Sequence, residues 1–351
     1  MPSYSDMRVW LRLVLVSCVM LFTPPAWSAD SGGAKEQAQR QQDQPLNNAP
    51  VWRDVRGGEN PYQTTQVRGI ETNVLVQSQG EIWRQIRNGP ITIYGGWLIV
   101  AICAIIAAIY FLMGPIKLHQ KSSGRTIERF NYFERVTHWT MGISFCLLGV
   151  TGLIILFGKY VLLPMFGYTL FSWLAILSKN VHNFVAPVFV VSLLVFIVVY
   201  IKDNLPEKGD LAWMSQGWRM FAGAHLPSGR FNAGEKVWFW LGVVALCLLV
   251  SASGLILLFP NFEQGRLLMQ QANVIHAIAG VLVIGLSLGH IYMGTIGVEG
   301  AYQNMRTGNT DETWAKEHHE YWYNDVMKGR RGAAGAATAA RAAALKEGWK
   351  L

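Results

Sequence analysis

Residues 273–295 read NVIHAIAGVLVIGLSLGHIYMGT, an apolar run that has no charged residue and contains His276 and His290. A run of this length can cross the hydrocarbon core of a bilayer as a helix. The two histidines are 14 residues apart. That spacing is within about 40° of four whole helical turns, so both histidines face one side of the helix, roughly 21 Å apart along its axis.

Four more apolar blocks have the length of a membrane-spanning helix, at about 91–114, 137–158, 181–201 and 237–259. The chain is 51% hydrophobic and only 15% charged, whereas a soluble protein has about 25% charged residues. These features predict a multi-pass membrane protein.

The net charge of +8 does not indicate nucleic-acid binding, because Lys and Arg are concentrated in short segments between the blocks. Residues 115–136 and 202–236 have five each, and the tail from 296 has eight. Residues 159–180 have two and 260–272 have one. The positive-inside rule places the richer segments in the cytoplasm.

The N-terminus has the features of a secretory signal peptide. Arg8 and Arg12 precede the apolar run 13–22, and small residues at 26–29 offer a cleavage site. A retained anchor is the alternative. The predicted organisation is a signal peptide (1–29), an exported periplasmic segment (30–89), an additional transmembrane helix (90–115), a four-helix bundle (116–296) and a cytoplasmic tail (297–351).

The last four blocks contain an internal repeat. CLL at 146–148 and GLIILF at 152–157 recur as CLL at 247–249 and GLILLF at 254–259. The next block of each pair opens with a histidine, His182 or His276. The sequence therefore predicts two related helical hairpins and an all-α fold.

Four histidines lie in or at the ends of these blocks. His138 and His290 are predicted at the cytoplasmic ends, and His182 and His276 at the exported ends. Ionisable residues in lipid are costly and usually functional. Two imidazoles can fill both axial positions of a haem iron, which then exchanges electrons and does not bind oxygen. We therefore predict two b-type haems, ligated by His138–His290 and by His182–His276, in a dihaem bundle. Other metal or structural roles are the alternative, although zinc favours ligands clustered at one point.

The remaining cysteines and histidines carry less information. No cysteine belongs to a CxxC or CxxCH motif, so we predict no iron–sulfur cluster and no covalently attached haem in this chain. His119 and His225 fall in loops without an assigned role. We expect His318 and His319 on a solvated surface helix or at a partner contact, and not as metal ligands.

Several motifs resemble the cytochrome b (gamma) subunit of respiratory formate dehydrogenase, in order and spacing, over about 125–325. They are FERVTHWT at 133–140, RFNAGEK at 230–236, HIYMG at 290–294 and WAKEHHEYWY at 314–323. Residues 65–90 resemble the long proteobacterial form, which has a signal peptide and an extra transmembrane helix. The resemblance implies the inner (cytoplasmic) membrane of a bacterium, with the mature N-terminus periplasmic and the C-terminus cytoplasmic.

The resemblance also implies the partners and the electron path. A molybdenum or tungsten catalytic (alpha) subunit oxidises formate, and an iron–sulfur (beta) subunit passes the electrons to the exported-side haem. They cross to the cytoplasmic haem and reduce a quinone, menaquinone or ubiquinone. The family's quinone site maps to Asn232, Gly234 and His290, beside Glu235 and Lys236. An ordinary helix start, with Asn as its cap, is the alternative for the first two.

The chain has no formate chemistry of its own, so any enzyme activity belongs to the complex or to its quinone-reducing step. One alternative is the related cytochrome b of nickel–iron hydrogenases. Another is a haem-free membrane anchor or proton-conducting subunit. A transporter is disfavoured because the membrane blocks lack acidic residues and broken helices.

Overall fold

The computed structural model describes residues 78–262 and 264–329. The predicted signal peptide, most of the exported segment and the end of the tail lie outside the described residues. The chain divides into two units, Met1–Ile82 and Trp83–Leu351. In the first unit the described residues 78–82 are helical. Apart from these first residues of the first helix, the features below belong to the second unit.

The described residues are mostly helical, with two short strands and several π-helical or 3-10 turns. The elements are α1 Ser78–Ile86, a π turn Arg87–Ile91, α2 Thr92–Met113, β1 Thr126–Glu128, α3 Tyr132–Tyr200, a 3-10 turn Lys202–Asn204, α4 Asp210–Gln216, a 3-10 turn Gly217–Ala222, α5 Ala233–Val237, a π-helix Trp238–Cys247, α6 Leu248–Leu258, α7 Arg266–Tyr292, a π turn Met293–Gly297, α8 Ala301–Thr307, β2 Asn309–Asp311 and α9 Glu312–His318. Residues 320–329 are also helical.

Four continuous helical runs in the described part of the chain are long and apolar enough to cross a membrane, judged by length and composition: Gly80–Met113, Tyr132–Tyr200, Ala233–Leu258 and Arg266–Gly297. They confirm the predicted helical membrane fold. The first run starts ahead of the predicted boundary at residue 90. The π turn carries Pro90 without ending the helix, because it reorganises the hydrogen bonds that proline disrupts in a regular α-helix.

Helix α3 is a hairpin. Its 69 residues would extend about 100 Å if straight, several times the roughly 30 Å core of a bilayer. The backbone breaks at Gly167, where φ is 72° and ψ is 175°. The arms then run antiparallel: the Tyr200 hydroxyl near the far end donates to the carbonyl of Glu134 near the start, at 3.0 Å. α3 therefore contains two of the five predicted crossings.

Both hairpins start with one pattern, RFNYFE at 129–134 and RFNAGE at 230–235. Asn131 and Asn232 are helix N-caps. Each asparagine side chain accepts a hydrogen bond from the backbone N–H of the glutamate three residues later, at 3.0 Å. Each glutamate carboxylate accepts from the asparagine N–H at 2.8 Å. These reciprocal capping boxes extend the internal repeat to the starts of the helices.

A π-helix explains a one-residue shift inside the repeat. The caps Asn131 and Asn232 are 101 residues apart, whereas Gly152 and Gly254 are 102 apart. The second hairpin therefore has one extra residue between cap and glycine. The π-helix Trp238–Cys247 lies in this interval, and its i→i+5 hydrogen bonds accommodate an inserted residue without ending the helix. The residues after it keep the facing of their counterparts.

The first spanning helix packs on the last one. The Trp83 indole N–H donates to the Asn273 side chain at 3.1 Å. Further along, a Cβ on Gly285 would lie 2.6 Å from the Ile102 side chain. The missing side chain at Gly285 therefore lets the two helices approach, as small residues do in membrane helix pairs.

We call the end of the bundle at the helix caps Asn131 and Asn232 the capped end. A small folded region, which contains β1, β2 and the tail, covers it. Strand β1 pairs antiparallel with β2, so the fold is helical with this small exception. The tail packs into the region: Trp314 is 4% exposed and His319 is 1% exposed. His319 Nδ1 donates to the carbonyl of Gly229 at 2.9 Å. Burial, with the nearby Arg129 cation, holds the pKa of His319 well below its ordinary value. The expected solvated helix is therefore wrong for His319, because the loop 223–232 covers it.

Candidate functional site: two histidine pairs in the bundle

The four bundle histidines form two pairs of facing rings. The ring centres of His182 and His276 are 6.1 Å apart, with planes at 76°. Those of His138 and His290 are 6.2 Å apart, with planes at 55°. Since α7 is continuous from residue 266 to 292, His276 and His290 lie about 21 Å apart along one helix. The fold thus brings the histidines together at two depths.

The spacing within each pair fits one metal ion between two axial imidazoles. An imidazole nitrogen lies about 2.0–2.1 Å from a bound transition metal, and the ring centre lies about 1.1 Å further on, so two rings across one ion have centres about 6.2 Å apart. The observed separations are 6.1 and 6.2 Å. Directly packed rings elsewhere in the chain have similar separations, as for Phe130 and Tyr200 at 6.2 Å, so the distances agree with a bound ion and do not by themselves require one.

Hydrogen bonds fix the tautomer of His276. Its Nδ1 lies 3.0 Å from the carbonyl of Val250. A carbonyl can only accept, so Nδ1 carries the proton and Nε2 keeps its lone pair for a metal. The Ser253 hydroxyl donates to the Leu249 carbonyl at 2.7 Å, and its oxygen lies 3.3 Å from Nδ1. Metal-binding histidines are commonly oriented by such a bond from the other ring nitrogen.

The same arrangement recurs at His182, where the repeat places it. The Thr151 hydroxyl donates to the Leu147 carbonyl at 2.7 Å, so its oxygen is free to accept from His182 Nδ1 at 2.9 Å. The His182 ring also hydrogen-bonds to the backbone of Leu148. Thr151 and Ser253 are 102 residues apart, the offset of the helices after the π-helix. The repeat therefore preserves the support of each histidine.

A glycine lies directly against the ring of each of these histidines. A Cβ on Gly152 would lie 3.4 Å from His182 Cε1, and one on Gly254 would lie 3.0 Å from His276 Cε1. Contacts near 3.4 Å are ordinary, whereas 3.0 Å forces a neighbour to move. The repeated glycines therefore leave room for the histidine rings in their observed positions. A side chain at Gly254 would displace its histidine more than one at Gly152.

Open space lies beside two other glycines near the histidines. Gly142 is one turn beyond His138, and Gly280 is one turn beyond His276, so each shares a face with its histidine. Both glycines are partly buried, yet a Cβ on either would meet nothing within 4 Å. Half-buried positions with free volume on the histidine faces can accommodate a flat macrocycle.

The pair at the capped end has an aromatic surrounding. The Trp238 ring stacks on His290 at 5.1 Å with planes at 14°, and Phe196 lies 6.2 Å from His138. His138 Nδ1 is buried without a hydrogen-bond partner among the described residues. A buried ring nitrogen without a partner is costly. This nitrogen is therefore available to a bound group.

The residues predicted for the quinone site lie at the capped end, but they also have structural roles. Asn232 is a helix cap. A Cβ on Gly234 would lie 3.1 Å from Trp213, so this glycine allows close packing. Trp238, which stacks on His290, is six residues after Asn232, a rise of about 9 Å along the helix. This helix start and His290 are therefore neighbours.

Two basic residues near the histidine pair of the capped end, Lys236 and Arg135, have partners in the protein. Lys236 is 5% exposed, and its ammonium lies 3.0 Å from Asp210 and 3.2 Å from Glu207. Arg135 donates to the carbonyl of Arg306 at 3.0 Å. Lys236 therefore serves the fold of the capped end.

Comparison with known proteins identifies the family. Residues 129–308 match the family described as prokaryotic cytochrome b561. The chain belongs to this family. The match starts at the first RFNxxE pattern and includes His138, His182, His276 and His290. Membership of a cytochrome b family implies that the chain is a membrane protein that binds haem b.

Within this family, the chain is similar to cytochrome b subunits of formate dehydrogenases. The chain is 28% identical over 218 residues to the nitrate-inducible formate dehydrogenase cytochrome b556(Fdn) subunit of Escherichia coli (strain K12), covering 59% of this chain and 94% of the relative. It is 30% identical over 212 residues to the formate dehydrogenase cytochrome b556(fdo) subunit of that strain, covering 58% and 94%. It is 26% identical over 218 residues to the formate dehydrogenase cytochrome b556 subunit of Haemophilus influenzae, covering 59% and 86%. Homology to formate dehydrogenase cytochrome b subunits is thereby confirmed.

Proposed function

We propose that this chain is the electron-carrying membrane subunit of a formate dehydrogenase complex in a bacterial inner membrane. It takes electrons from an iron–sulfur partner and passes them through two b haems to a quinone. The observation that carries the proposal is the pair of facing histidine rings, 6.1 and 6.2 Å apart, repeated at two depths along one helix. The names of the relatives, all formate dehydrogenase cytochromes b556, support formate as the electron source.

In this proposal the chain's own residues hold and insulate the cofactors. His182 and His276 present Nε2 because their Nδ1 atoms are engaged, and His138 and His290 hold the second group. Haem b held by these histidine nitrogens would supply one-electron transfer without oxygen binding. In the proposed membrane setting, the apolar helices and the lipid around them would limit the access of water to both pairs, a factor that tunes reduction potential.

The proposed direction of transfer runs from the His182–His276 pair to the capped end. The iron–sulfur subunit and, beyond it, a molybdenum or tungsten subunit contact the first side. A quinone binds near His290, Asn232 and Gly234, and its protons come from the cytoplasm. The Lys and Arg of the capped end support the cytoplasmic assignment of that side through the positive-inside rule.

Haem quantification on the purified chain tests the proposal. The parent should contain two b haems by pyridine haemochrome, and His182→Ala should contain one, because alanine removes an axial ligand. Ser192→Ala is a matched control on the same helical arm, since its hydroxyl donates to the carbonyl of Phe189 within that arm. Two haems in His182→Ala would refute the ligand assignment, and no haem in the parent would favour a membrane anchor.

The donor is tested separately in membranes that contain the intact complex. Formate should reduce the haem absorption bands of the parent, and this reduction should fail in His182→Ala. Reduction by hydrogen gas but not by formate would instead assign the chain to a nickel–iron hydrogenase.

A further inference from the structure

A second group of metal-binding side chains lies outside the bundle, at the capped end. His119, His225 and Glu317 each present a ligand atom, and these atoms all lie within 4.8 Å of one another. The three residues come from separate segments: the loop after α2, the loop before α5, and α9. Chain folding thus brings together residues that are distant in sequence, and the electron path does not use them.

We propose that His119, His225 and Glu317 form a binding site for one divalent transition metal of the zinc class. Two histidines and one glutamate are a ligand set that zinc takes in proteins, with a water in the fourth position. Nitrogen and oxygen donors at one point suit such an ion better than Mg²⁺ or Ca²⁺, which prefer oxygen alone.

The His225 ring is oriented for this role. Its Nδ1 lies 3.1 Å from the carbonyl of Glu317, and since a carbonyl only accepts, Nδ1 carries the proton. Nε2 therefore keeps a lone pair. Orientation of a metal-binding histidine by a backbone carbonyl is a common arrangement. Here the orienting carbonyl belongs to a second member of the group.

The Glu317 carboxylate fixes the position of His119. One oxygen accepts from the His119 backbone N–H at 3.0 Å and the other from the Gln120 N–H at 2.9 Å. His119 Nδ1 lies 3.7 Å from the nearer carboxylate oxygen, and the two histidine ring centres are 4.2 Å apart. Ligand atoms of a tetrahedral zinc site lie about 3.4 Å apart. Rotation of the exposed His119 and His225 side chains suffices to close the group.

The three residues line one small cavity. It has a volume of about 20 Å³, and Trp213, Asn232 and His318 also line it. This is room for about one water or one ion, and far less than the few hundred Å³ of a pocket for an organic ligand. His318 Nε2 is buried and has no hydrogen-bond partner in the part of the chain that the structure describes. The His318 ring nitrogen is therefore a further possible metal ligand on the cavity wall.

A metal here would join the loop after α2, the loop before α5 and the tail. It would stabilise the capped end next to Asn232 without taking part in electron transfer. The proposal does not depend on formate dehydrogenase activity, and its test measures metal binding and thermal unfolding in place of activity.

The test uses the full-length, haem-loaded chain in detergent, so that the bundle histidines are occupied. After treatment with a chelator and gel filtration, the protein is titrated with Zn²⁺ and its bound metal and affinity are measured. We expect one Zn²⁺ per chain, with binding weakened about 100-fold or more in His225→Ala and in Glu317→Gln, since loss of a ligand costs at least as much as loss of an orienting residue. Glu320→Gln, a neighbouring exposed carboxylate, is the matched control and should bind as the parent does.

Thermal unfolding without metal separates binding from folding. His225 is exposed, so His225→Ala should unfold at the temperature of the parent and should lose the increase that Zn²⁺ gives the parent. Equal Zn²⁺ affinity in His225→Ala and the parent, or no binding by the parent, would overturn the proposal. His225→Ala alone decides the matter if Glu317→Gln does not fold.

Discussion

Substitution of Gly254 by alanine should remove one haem without harming the fold. A Cβ at Gly254 would lie 3.0 Å from His276 Cε1, against 3.4 Å for the equivalent contact of Gly152 with His182. The His276 ring must therefore move by about 0.4 Å. Its Nδ1 bonds to Val250 and Ser253, at 3.0 and 3.3 Å, would lengthen to the limit of hydrogen bonding or beyond.

The substitution should leave the free energy of unfolding unchanged or increased, and it should weaken haem binding. Alanine in place of glycine favours a helix by about 1 kcal/mol, so Gly254→Ala should not destabilise the chain. Loss of the bonds that orient a ligating histidine typically weakens metal binding about 10–100-fold, which is about 1.4–2.7 kcal/mol at 1.36 kcal/mol per tenfold change. Haem content should fall towards one per chain.

Gly152→Ala is the matched control, because it makes the same change at the equivalent position of the first hairpin with an ordinary contact distance. Pyridine haemochrome analysis of both variants, purified at several haem concentrations, should show two haems in Gly152→Ala and a weakened second haem in Gly254→Ala. Equal haem content in the two variants would refute the argument that ring position controls binding. Aggregation of Gly254→Ala alone would show that the glycine serves helix packing.

Two further predictions concern the capped end. Asn232→Ala and Asn131→Ala remove equivalent caps and should each cost about 1 kcal/mol of stability, but only Asn232→Ala should weaken binding of a quinone analogue while both haems remain; equal weakening in the two variants would assign Asn232 to capping alone. The Asp311 carboxylate is partly buried, which by itself raises its pKa, but hydrogen bonds from Ser122, Ser123, Thr313 and Gly124 outweigh this and lower the pKa to about 2. Its contribution to stability is therefore complete above about pH 4 and is lost as the pH falls towards 2. The protection of the Ser123 and Gly124 amides from exchange, measured relative to an unfolded chain at the same pH, should therefore fall over that range in the parent. Asp311→Asn should show low protection already at pH 7, and high protection there would contradict the assignment.

The sequence predicted the spanning segments well because apolar length alone decides them. It did not predict that residues 159–180, between two blocks, would stay helical except at Gly167, since charge counts locate a loop and do not say how the backbone turns. The pairing of His138 with His290 and of His182 with His276 follows from helical spacing and hairpin topology. The internal repeat indicated that topology.

Other features depend on contacts that local patterns do not reveal. Burial of His319 depends on the Gly229 carbonyl, 90 residues earlier, so the charged and aromatic tail appeared to be a surface helix. The grouping of His119, His225 and Glu317 depends on three segments meeting at the capped end. In contrast, the RFNxxE repeat was present in the sequence, and it would have located both helix starts.

The two RFNxxE patterns also join the hairpins to each other. Arg230, which precedes the second cap, donates to Glu134 of the first capping box at 2.8 Å. Arg129, which precedes the first cap, donates to Glu235 of the second at 3.4 Å and to the carbonyl of Arg230 at 2.7 Å. Each arginine therefore supports the helix start of the other hairpin, and burial lowers the pKa of Arg129 while Glu235 opposes that shift.

The equivalence of the two helix starts changes the argument for the quinone site. Asn232 follows a phenylalanine and makes the same cap bonds as Asn131 in the other hairpin, so helix capping explains its residue type. What distinguishes it is position: its helix carries Trp238, which stacks on His290, whereas the helix of Asn131 carries the ligand candidate His138 itself. The case for quinone binding therefore rests on the proximity of this helix start to His290, and the comparison of Asn232→Ala with Asn131→Ala isolates that contribution.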